Sequence, residues 1–316
     1  MNAPVTAFAP GSIGNVGPGL DILGLAVAGD GDTVRAEWLD EPGIRVLDAG
    51  HPELPSEAER HTAGLAARAI LRRVGEQAAR GKGIGLSVRK GLPLSGGQGG
   101  SAASAVAGAV AVNALLDEPL GPLELIEACL DAEEVVAGRH ADNIAPSLLG
   151  GLVLIRSMDP LDVVRLPVPA ELHVVLARPE QRMRTADARA VLPRDVSRAV
   201  ALHQAAQVAA MVAAFALEDY TLLARSVDDR IAEPVRAGLL PGFAEAKAAA
   251  LEAGALGSSI SGSGPTAFAL ARGRESAERV ARAMIAAYRA RGERCTVRVG
   301  PVDRDGARVT REGRSG

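Results

Sequence analysis

The 316-residue chain is longer than the roughly 100–200 residues of a typical single domain, which predicts two packed domains. Its 47% hydrophobic and 23% charged residues are typical of a globular protein and exclude a disordered chain or a coiled coil. A net charge of −3, with only 4 Phe, 2 Tyr and 1 Trp, argues against a nucleic-acid partner, which would require a basic surface or aromatic stacking.

Secondary structure is predicted from hydrophobic periodicity and from turn residues. Strands are predicted, in chain order, over residues 4–10, 33–38, 44–47, 84–88, 151–155, 163–166, 172–177, 266–271 and 295–301. Helices are predicted over residues 58–74, 101–116, 122–137, 195–217, 219–226, 242–252 and 276–291. Strands and helices interleave, but 33–38 with 44–47 and 151–155 with 163–166 are spaced as hairpins. The α+β class is therefore favoured over a doubly wound sheet.

Prolines over residues 160–169 mark the expected domain boundary, giving domains of residues 1–165 and 166–316. Residues 304–316 are polar and rich in Arg and Gly, and we expect them to be frayed.

The sequence predicts a cytoplasmic protein without a membrane partner. The two cysteines, Cys129 and Cys295, form no CxxC pair, which suits a reducing compartment. Residues 1–10 contain neither the basic nor the apolar segment of a signal peptide. The longest nearly uncharged runs, residues 102–116 and 205–217, are shorter than the ~20 apolar residues of a membrane-spanning helix.

The strongest functional signal is the glycine-rich segment Pro93-Leu-Ser-Gly-Gly-Gln-Gly-Gly-Ser-Ala102, which leads directly into a predicted helix. Glycine permits left-handed backbone and close approach of N–H groups, and a helix N-terminus attracts anions such as phosphate. Ser101 can cap the helix or offer its hydroxyl to Mg²⁺. Taken alone, the segment is either a phosphate loop or a tight turn before a helix.

Two common nucleotide-binding motifs resemble this segment in part. No Gly-Lys-Ser/Thr ends it, so it is not a P-loop. Residues 97–102 do satisfy GxGxxA, and Asp117 follows at about the spacing of a dinucleotide fingerprint. However, Asp117 follows a predicted helix rather than a second parallel strand. A dehydrogenase therefore remains a minor alternative.

Two further glycine-rich loops, residues 9–21 and 261–266, each adjoin predicted regular structure. We expect all three loops to line one cleft. Asn15 and Asp21 bring an amide and a carboxylate to the first loop, although both residue types are also common turn formers.

The order of the three loops resembles the GHMP kinase superfamily, and their details resemble its homoserine kinase family. Residues 13–21 are similar to that family's S-A-N-L-G-P-G-F-D loop, residues 93–102 to its P-x-x-x-G-L-G-S-S-A loop, and residues 262–266 to its G-S-G-P-T segment. Further similar motifs lie at residues 140–151, 185–193, 233–236 and 240–243. The resemblance implies a two-domain GHMP kinase fold, with an N-terminal ribosomal-S5-domain-2-like domain and a C-terminal ferredoxin-like α/β sandwich. It also implies ATP- and Mg²⁺-dependent phosphorylation of L-homoserine in threonine biosynthesis, by a homodimer.

The resemblance further implies a set of residues around ATP. The phosphates would be bound by Pro93, Gly96, Gly97, Gln98, Gly99, Gly100, Ser101 and Ala102. Ser101 and an acidic residue of the next helix would hold Mg²⁺. The family's spacing favours Glu133, but one residue is missing before His140, so Glu134 is the alternative.

The amino-acid substrate would be recognised through its charges. Asp21 would pair with the ammonium, and Arg189 and Arg236 would bind the carboxylate through bidentate guanidinium contacts. The family's pattern adds Asn15, His140, Asn143 and Thr185 around the same substrate, with Asn143 orienting the hydroxyl. Catalysis would rest on Asn143, Ser101 and Glu133, through alignment and charge stabilisation rather than a strong base. Asp142 is a weaker candidate for a base.

The chain departs from the family pattern at three places. Gln98 replaces a Leu and Gly100 replaces the first Ser of the phosphate loop, while residues 60–62 replace an Asn used for adenine. The nucleotide preference therefore stays open. Two other functions also stay open: a kinase for another small alcohol, such as a mevalonate derivative, and a non-catalytic nucleotide or amino-acid sensor.

Overall fold

The computed structural model describes residues 3–116 and 120–310, so Asp117 and residues 311–316 lie outside the described part of the chain. The strands are β1 Val5–Gly14, β2 Leu23–Leu39, β3 Gly43–Asp48, β4 Gly83–Arg89, β5 Leu152–Met158, β6 Leu161–Leu166, β7 Leu172–Pro179, β8 Gly257–Ile260, β9 Ala267–Arg272, β10 Cys295–Pro301 and β11 Arg308–Thr310. The helices are α1 Thr62–Val74, α2 Gly100–Leu115, α3 Pro122–Val136, α4 Ala141–Leu149, α5 Thr185–Ala190, α6 Arg198–Leu217, α7 Tyr220–Ala224, α8 Glu233–Arg236, α9 Phe243–Glu252 and α10 Arg274–Ala290.

Among the described residues, the first sheet has seven strands, in the order β11-β1-β2-β4-β3, with β5 paired to β2 and β6 to β5. Helices α1 to α4 pack on it around a core rich in alanine. Helix α2 is apolar on nearly every side, as expected for a helix surrounded by other elements. A Cβ on Gly108 would lie 2.9 Å from the Cβ of Ala63, so glycine lets α1 and α2 approach closely.

In the part of the chain that the structure describes, the second sheet has four antiparallel strands in the order β10-β7-β9-β8, the order of a ferredoxin-like sandwich. Along β7, side chains alternate between the two faces with the period of a strand. Val175 and Ala177 face the core formed with α9 and α10. Leu172, Val174 and Leu176 face the opposite side.

That opposite side forms a core shared by the two domains. Ile13 of β1 and Leu25 of β2 pack there with Phe268 of β9 and with Met211 and Phe215 of α6. Because this core is continuous, it fixes the position of the loops that lie between the two sheets.

The predicted boundary at residues 165/166 falls at the end of β6, next to the connection to β7, and we retain it as a proposal. The chain returns to the first sheet after β10, where β11 pairs antiparallel with β1. The expectation that residues 304–316 are frayed is therefore wrong for Arg308–Thr310.

Two further predictions are corrected. Residues 11–14 were predicted as loop, but β1 continues through them because its pairing with β2 resumes after an irregularity at Pro10/Gly11. Strands 33–38 and 44–47 were predicted as a hairpin, but β4 lies between them and β3 pairs with β4 in parallel. Both segments are strands, as their alternation of apolar and polar residues predicts, and only the predicted pairing between them is wrong.

Helix α6 has 20 residues with a mean hydropathy of 1.6, and 22% of its apolar window is buried. Within the described residues it is the one helix long and apolar enough to cross a membrane by length and composition. The sequence predicts this helix over residues 195–217 but an uncharged run only over residues 205–217, and the observed helix spans Arg198–Leu217. Met211 and Phe215 anchor it to the shared core.

Candidate active site

A cleft of about 630 Å³ lies between the two domains, and the three glycine-rich loops meet there. Most of the predicted site residues line it: Asn15, Pro93, Gly96, Gly97, Gly99, Gly100, Ser101, Ala102, Glu133, Glu134, His140, Asn143, Thr185, Arg189 and Arg236. Asp21 and Gln98 are the exceptions. Asp21 contacts the cleft residue Arg189, and Gln98 points into the protein.

The glycine-rich loop turns its carbonyl groups toward the protein. Thr266 Oγ1 donates to the carbonyl of Gly96 at 2.5 Å, and Ser261 Oγ donates to that of Gly97 at 2.6 Å. The backbone N–H of Ser12 donates to the carbonyl of Gln98 at 3.1 Å. Residues of the first loop (9–21) and of the third loop (261–266) therefore bind the carbonyl side of the glycine-rich loop and hold it in place.

The same turn leaves N–H groups facing the cleft. Within the described residues, no acceptor receives a hydrogen bond from the backbone N–H groups of residues 97–102. Gly97 and Gly99 have φ of +70° and +69°, the left-handed region that glycine adopts without strain. A Cβ on Gly97 would lie 2.7 Å from the carbonyl oxygen of Ser261, so close contact also requires glycine there. Unpaired amides at the N-terminus of a helix are suited to bind an anion.

Ser101 and Glu133 meet beside these amides. Ser101 Oγ donates to the Glu133 carboxylate, and Glu133 is 8% exposed. Burial raises the pKa of Glu133 to about 7, against the opposing effects of the Ser101 hydrogen bond and of Lys90. Of the two roles open to Ser101, the helix cap is not the one observed, because the N-cap of α2 is Gly99 and Ser101 lies inside the helix.

Glu134, the alternative acid, has a side chain that is 60% exposed and lies 3.3 Å from Arg139. It thus forms a surface ion pair, whereas Glu133 is buried at the amide cluster. Of the two glutamates, Glu133 is therefore the one that lies beside the unpaired amides.

The N-terminus of α4 supplies Asp142 and Asn143. Asn143 Oδ1 accepts a hydrogen bond from Ser12 Oγ at 3.0 Å. Asp142, 2% exposed, accepts one from the N–H of Asn15 at 3.0 Å. Burial, reinforced by the charge of Asp21, raises the pKa of Asp142 to about 6. Helix α4 therefore connects the first loop to the glycine-rich loop.

Asp21 and Arg189 form a bidentate ion pair, with N–O distances of 2.6 and 3.2 Å. Asn15 supports it, since its Oδ1 accepts from the N–H of Asp21 at 2.8 Å. His140 Nδ1 lies 3.7 Å from the Asp21 carboxylate, and burial, followed by the charge of Arg189, lowers the pKa of His140. The two residues predicted to bind opposite charges of the substrate thus neutralise each other here.

Arg236 is only 3% exposed, and its guanidinium donates to the carbonyls of Ala188 and Gly262, both at 3.0 Å. Across the described part of the chain, no carboxylate lies within the 4 Å of an ion pair with it. Burial, followed by the charge of Arg189, lowers its pKa. A buried cation without a counter-ion is costly, which makes this an attractive position for an anionic group. Thr185, half-buried at the start of α5, lines the same part of the cleft.

The wall beyond the glycine-rich loop includes residues 53–55 and 60–62. His61 belongs to the segment 60–62 that replaces the family's adenine-binding Asn. It caps α1 by accepting a hydrogen bond from the N–H of Ala63 at 3.1 Å. Arg182 and Glu53 form a bidentate ion pair at 2.7 and 2.9 Å across this wall. Sequence reasoning did not anticipate this interdomain contact, because nothing in either local sequence links the two residues.

Sequence reasoning also missed Lys90 and Asp32, which form a buried ion pair beneath the glycine-rich loop. Lys90 is one of few lysines in an arginine-rich chain, and it directly follows a buried strand. Its rarity and its position after a buried strand were the features of the sequence that could have singled out Lys90.

Family models match both halves of the chain. The model described as "GHMP kinases N terminal domain" matches residues 61–151, and "GHMP kinases C terminal" matches residues 211–290.

Individual relatives agree with these models. The chain is 41% identical over 322 aligned residues to a homoserine kinase of Chlorobium phaeobacteroides (strain BS1), covering 96% of this chain and 99% of that protein. It is 41% identical over 306 residues to a homoserine kinase of Xylella fastidiosa (strain M12), covering 96% and 93%. The crystal structure of a homoserine kinase from Cytophaga hutchinsonii aligns with a TM-score of 0.92 and 40% identity, covering 98% of both chains.

A mevalonate kinase from L. major aligns with a TM-score of 0.71 at 17% identity, covering 93% of this chain and 95% of that one, and so shares the fold alone. The matches confirm the resemblance predicted from the three loops.

Proposed function

The chain belongs to the GHMP kinase family, and on that premise we propose that it transfers the γ-phosphoryl group of ATP to the side-chain hydroxyl of L-homoserine, in threonine biosynthesis. One observation carries the assignment of substrate: a single cleft holds unpaired amides at one end and the charges of Asp21, Arg189 and Arg236 at the other. The first end suits a polyphosphate, and the second suits a zwitterion.

At the phosphate end, the amides of residues 97–102 would bind the ATP phosphates. Ser101 and Glu133 offer adjacent oxygen atoms as ligands, the kind of ligand that Mg²⁺ prefers. The described residues contain no cluster of three or more His, Cys, Asp or Glu suited to a metal, and Mg²⁺ commonly uses one or two carboxylates together with substrate phosphates. The donor set therefore fits Mg²⁺, which when bound neutralises phosphate charge.

At the acceptor end, Arg236 would bind the substrate carboxylate, and Arg189 would share it. Asp21 would then face the substrate ammonium, so the substrate replaces part of the Asp21–Arg189 pairing with its own two charges. Asn15, His140 and Thr185 complete this end of the cleft.

Asn143 lies where the two ends meet. A Cβ on Gly99 would lie 3.0 Å from Asn143 Oδ1, so the amide side chain is next to the glycine-rich loop. We assign it the role of orienting the homoserine hydroxyl toward the γ-phosphorus. Phosphoryl transfer depends mainly on such alignment and on charge stabilisation. Asp142 is the weaker candidate for a base, because its carboxylate is already engaged by Asn15.

We also propose that the protein is a cytoplasmic homodimer that associates through α6. Only 22% of the apolar window of this helix is buried, and Leu202 and Leu217 are 64% and 73% exposed, so its apolar surface is largely uncovered. An antiparallel pairing of two copies of α6 would bring Arg198 near Glu218 of the other copy. Light scattering on the wild type and on Leu202→Glu tests this, and a monomeric wild type would contradict it.

The function is tested by ADP release in the presence of homoserine, mevalonate, galactose or shikimate. We expect turnover with homoserine and little with the others, because only homoserine presents both an ammonium and a carboxylate. A strong response to another alcohol, without one to homoserine, would replace this assignment. ATP binding without turnover on any alcohol would favour a sensor.

A further inference from the structure

Lys90 and Asp32 form an ion pair whose side chains are only 7% and 0% exposed. The Lys90 ammonium also donates to the carbonyl of Gly100 at 2.8 Å and to Ser104 Oγ at 2.9 Å. An ammonium has three N–H donors, and these three contacts account for all of them.

Asp32 extends the contacts to the start of the glycine-rich loop. Its Oδ1 accepts from the N–H groups of Gly91 and Leu92 at 3.1 and 3.2 Å, and its Oδ2 accepts from Ser104 Oγ at 2.6 Å. The pair therefore ties β2 to the residues just before the loop and to the first turn of α2 just after it.

We propose that Lys90 and Asp32 are positioning residues, which aim the amides at the start of α2 by fixing both ends of the loop, and that Lys90 does not itself bind phosphate. This inference rests on the proposed function. Lys90 lines the cleft, so its charge alone would suggest a phosphate ligand. Its saturated donors and its buried counter-ion indicate the positioning role instead.

The two roles predict opposite effects for one substitution. In the positioning role, Asp32→Asn releases Lys90 and misplaces the loop. A displacement of about 1 Å can cost roughly 100-fold in rate, so we expect a loss of that order in kcat/KM for ATP. If Lys90 were a phosphate ligand, Asp32→Asn would instead free its ammonium from its counter-ion, and ATP binding would stay the same or improve.

The experiment is a double-mutant cycle of Lys90→Met, Asp32→Asn and the double variant, measured as kcat/KM for ATP and as KM for homoserine. We expect each single variant to lose activity, the double variant to be no worse than either, and the KM for homoserine to stay unchanged. Full or improved ATP use by Asp32→Asn, with loss only in Lys90→Met, would overturn the proposal.

Breaking a buried ion pair can unfold a protein, so urea unfolding accompanies each variant. Ser104→Ala is the milder test, since it removes one neutral group, and we expect roughly a 5- to 10-fold loss in kcat/KM for ATP from the loss of its two hydrogen bonds, to Lys90 and Asp32. Unchanged kinetics in Ser104→Ala would count against positioning through α2. Mg-ATP titration by calorimetry measures the same effects without turnover, so absence of homoserine phosphorylation in the wild type would overturn the function but leave this test intact.

Discussion

The two proposed ends of the cleft, one for the phosphates of ATP and one for the acceptor amino acid, are built differently. The phosphate end comes largely from backbone amides of one domain, held by loops behind it and by the Lys90–Asp32 pair. The acceptor end consists of side-chain charges drawn from both domains, with Asp21 from the first and Arg189 and Arg236 from the second. Neutral amides that line an open cleft can bond to water when no ligand is present, whereas a buried charge without a partner is far more costly. Asp21 and Arg189, which are only half-buried, pair with each other, whereas the buried Arg236 has backbone carbonyls as its partners.

The largest effect should come from the buried carboxylate of Glu133 at the phosphate end. Glu133→Gln keeps the size of the side chain but removes its charge, and we expect kcat to fall roughly 100- to 1,000-fold, as for other groups that stabilise transition-state charge. Steady-state ADP release measures this. Glu134→Gln is the matched control, because its side chain is exposed, and it should retain activity. Equal losses in both would mean that the acid is misassigned.

A second prediction concerns the cost of burying charge near the acceptor end. Burial raises the pKa of Asp142 from 3.8 to about 6, so its contribution to stability is full below pH 3.8 and is lost as the pH rises through 6. The loss amounts to about 3 kcal/mol at most, since one pKa unit corresponds to 1.36 kcal/mol. Urea unfolding of wild type and Asp142→Asn between pH 4 and 7 measures it. The stability difference between them should change across this window, and a constant difference would contradict the buried-charge explanation.

The acceptor end is tested through Arg236. Arg236→Met removes the cation but keeps an unbranched side chain, and losing a charged hydrogen-bond partner should raise the KM for homoserine roughly 30-fold. The KM for ATP should stay near its wild-type value, because the phosphate end is built separately. Arg230→Met is the control, since the Arg230 side chain is 56% exposed and forms a surface ion pair with Asp228 at 3.5 Å. If the two KM values rose together, the ends of the cleft would not be independent.

Much of this organisation was predictable from sequence. The glycine-rich loop, the helix after it and the three-loop convergence followed from turn chemistry and motif order. The pairing of β3 with β4 did not, because alternation identifies a strand but not its neighbour. The Lys90–Asp32 pair was also missed, since residues 58 positions apart become partners only through the sheet. Likewise, the choice between Glu133 and Glu134 depended on which side of α3 is buried.

The smallest effect concerns Gln98, the residue of the glycine-rich loop that points into the protein rather than into the cleft. Gln98 is 5% exposed, and its Oε1 has no hydrogen-bond partner among the described residues. Its Nε2 makes a long contact of 3.3 Å to Thr266 Oγ1, and that hydroxyl keeps its bond to Gly96 if the contact is lost. Gln98→Leu should therefore stabilise the protein by about 1 kcal/mol, by removing a buried unpaired acceptor. Urea unfolding measures this, with Gln98→Ala as the control that leaves a cavity and destabilises. If Gln98→Leu were instead less stable and bound ATP more weakly, the Gln98 side-chain amide would be what holds the loop. The phosphate end would then depend on a side chain, as the acceptor end does.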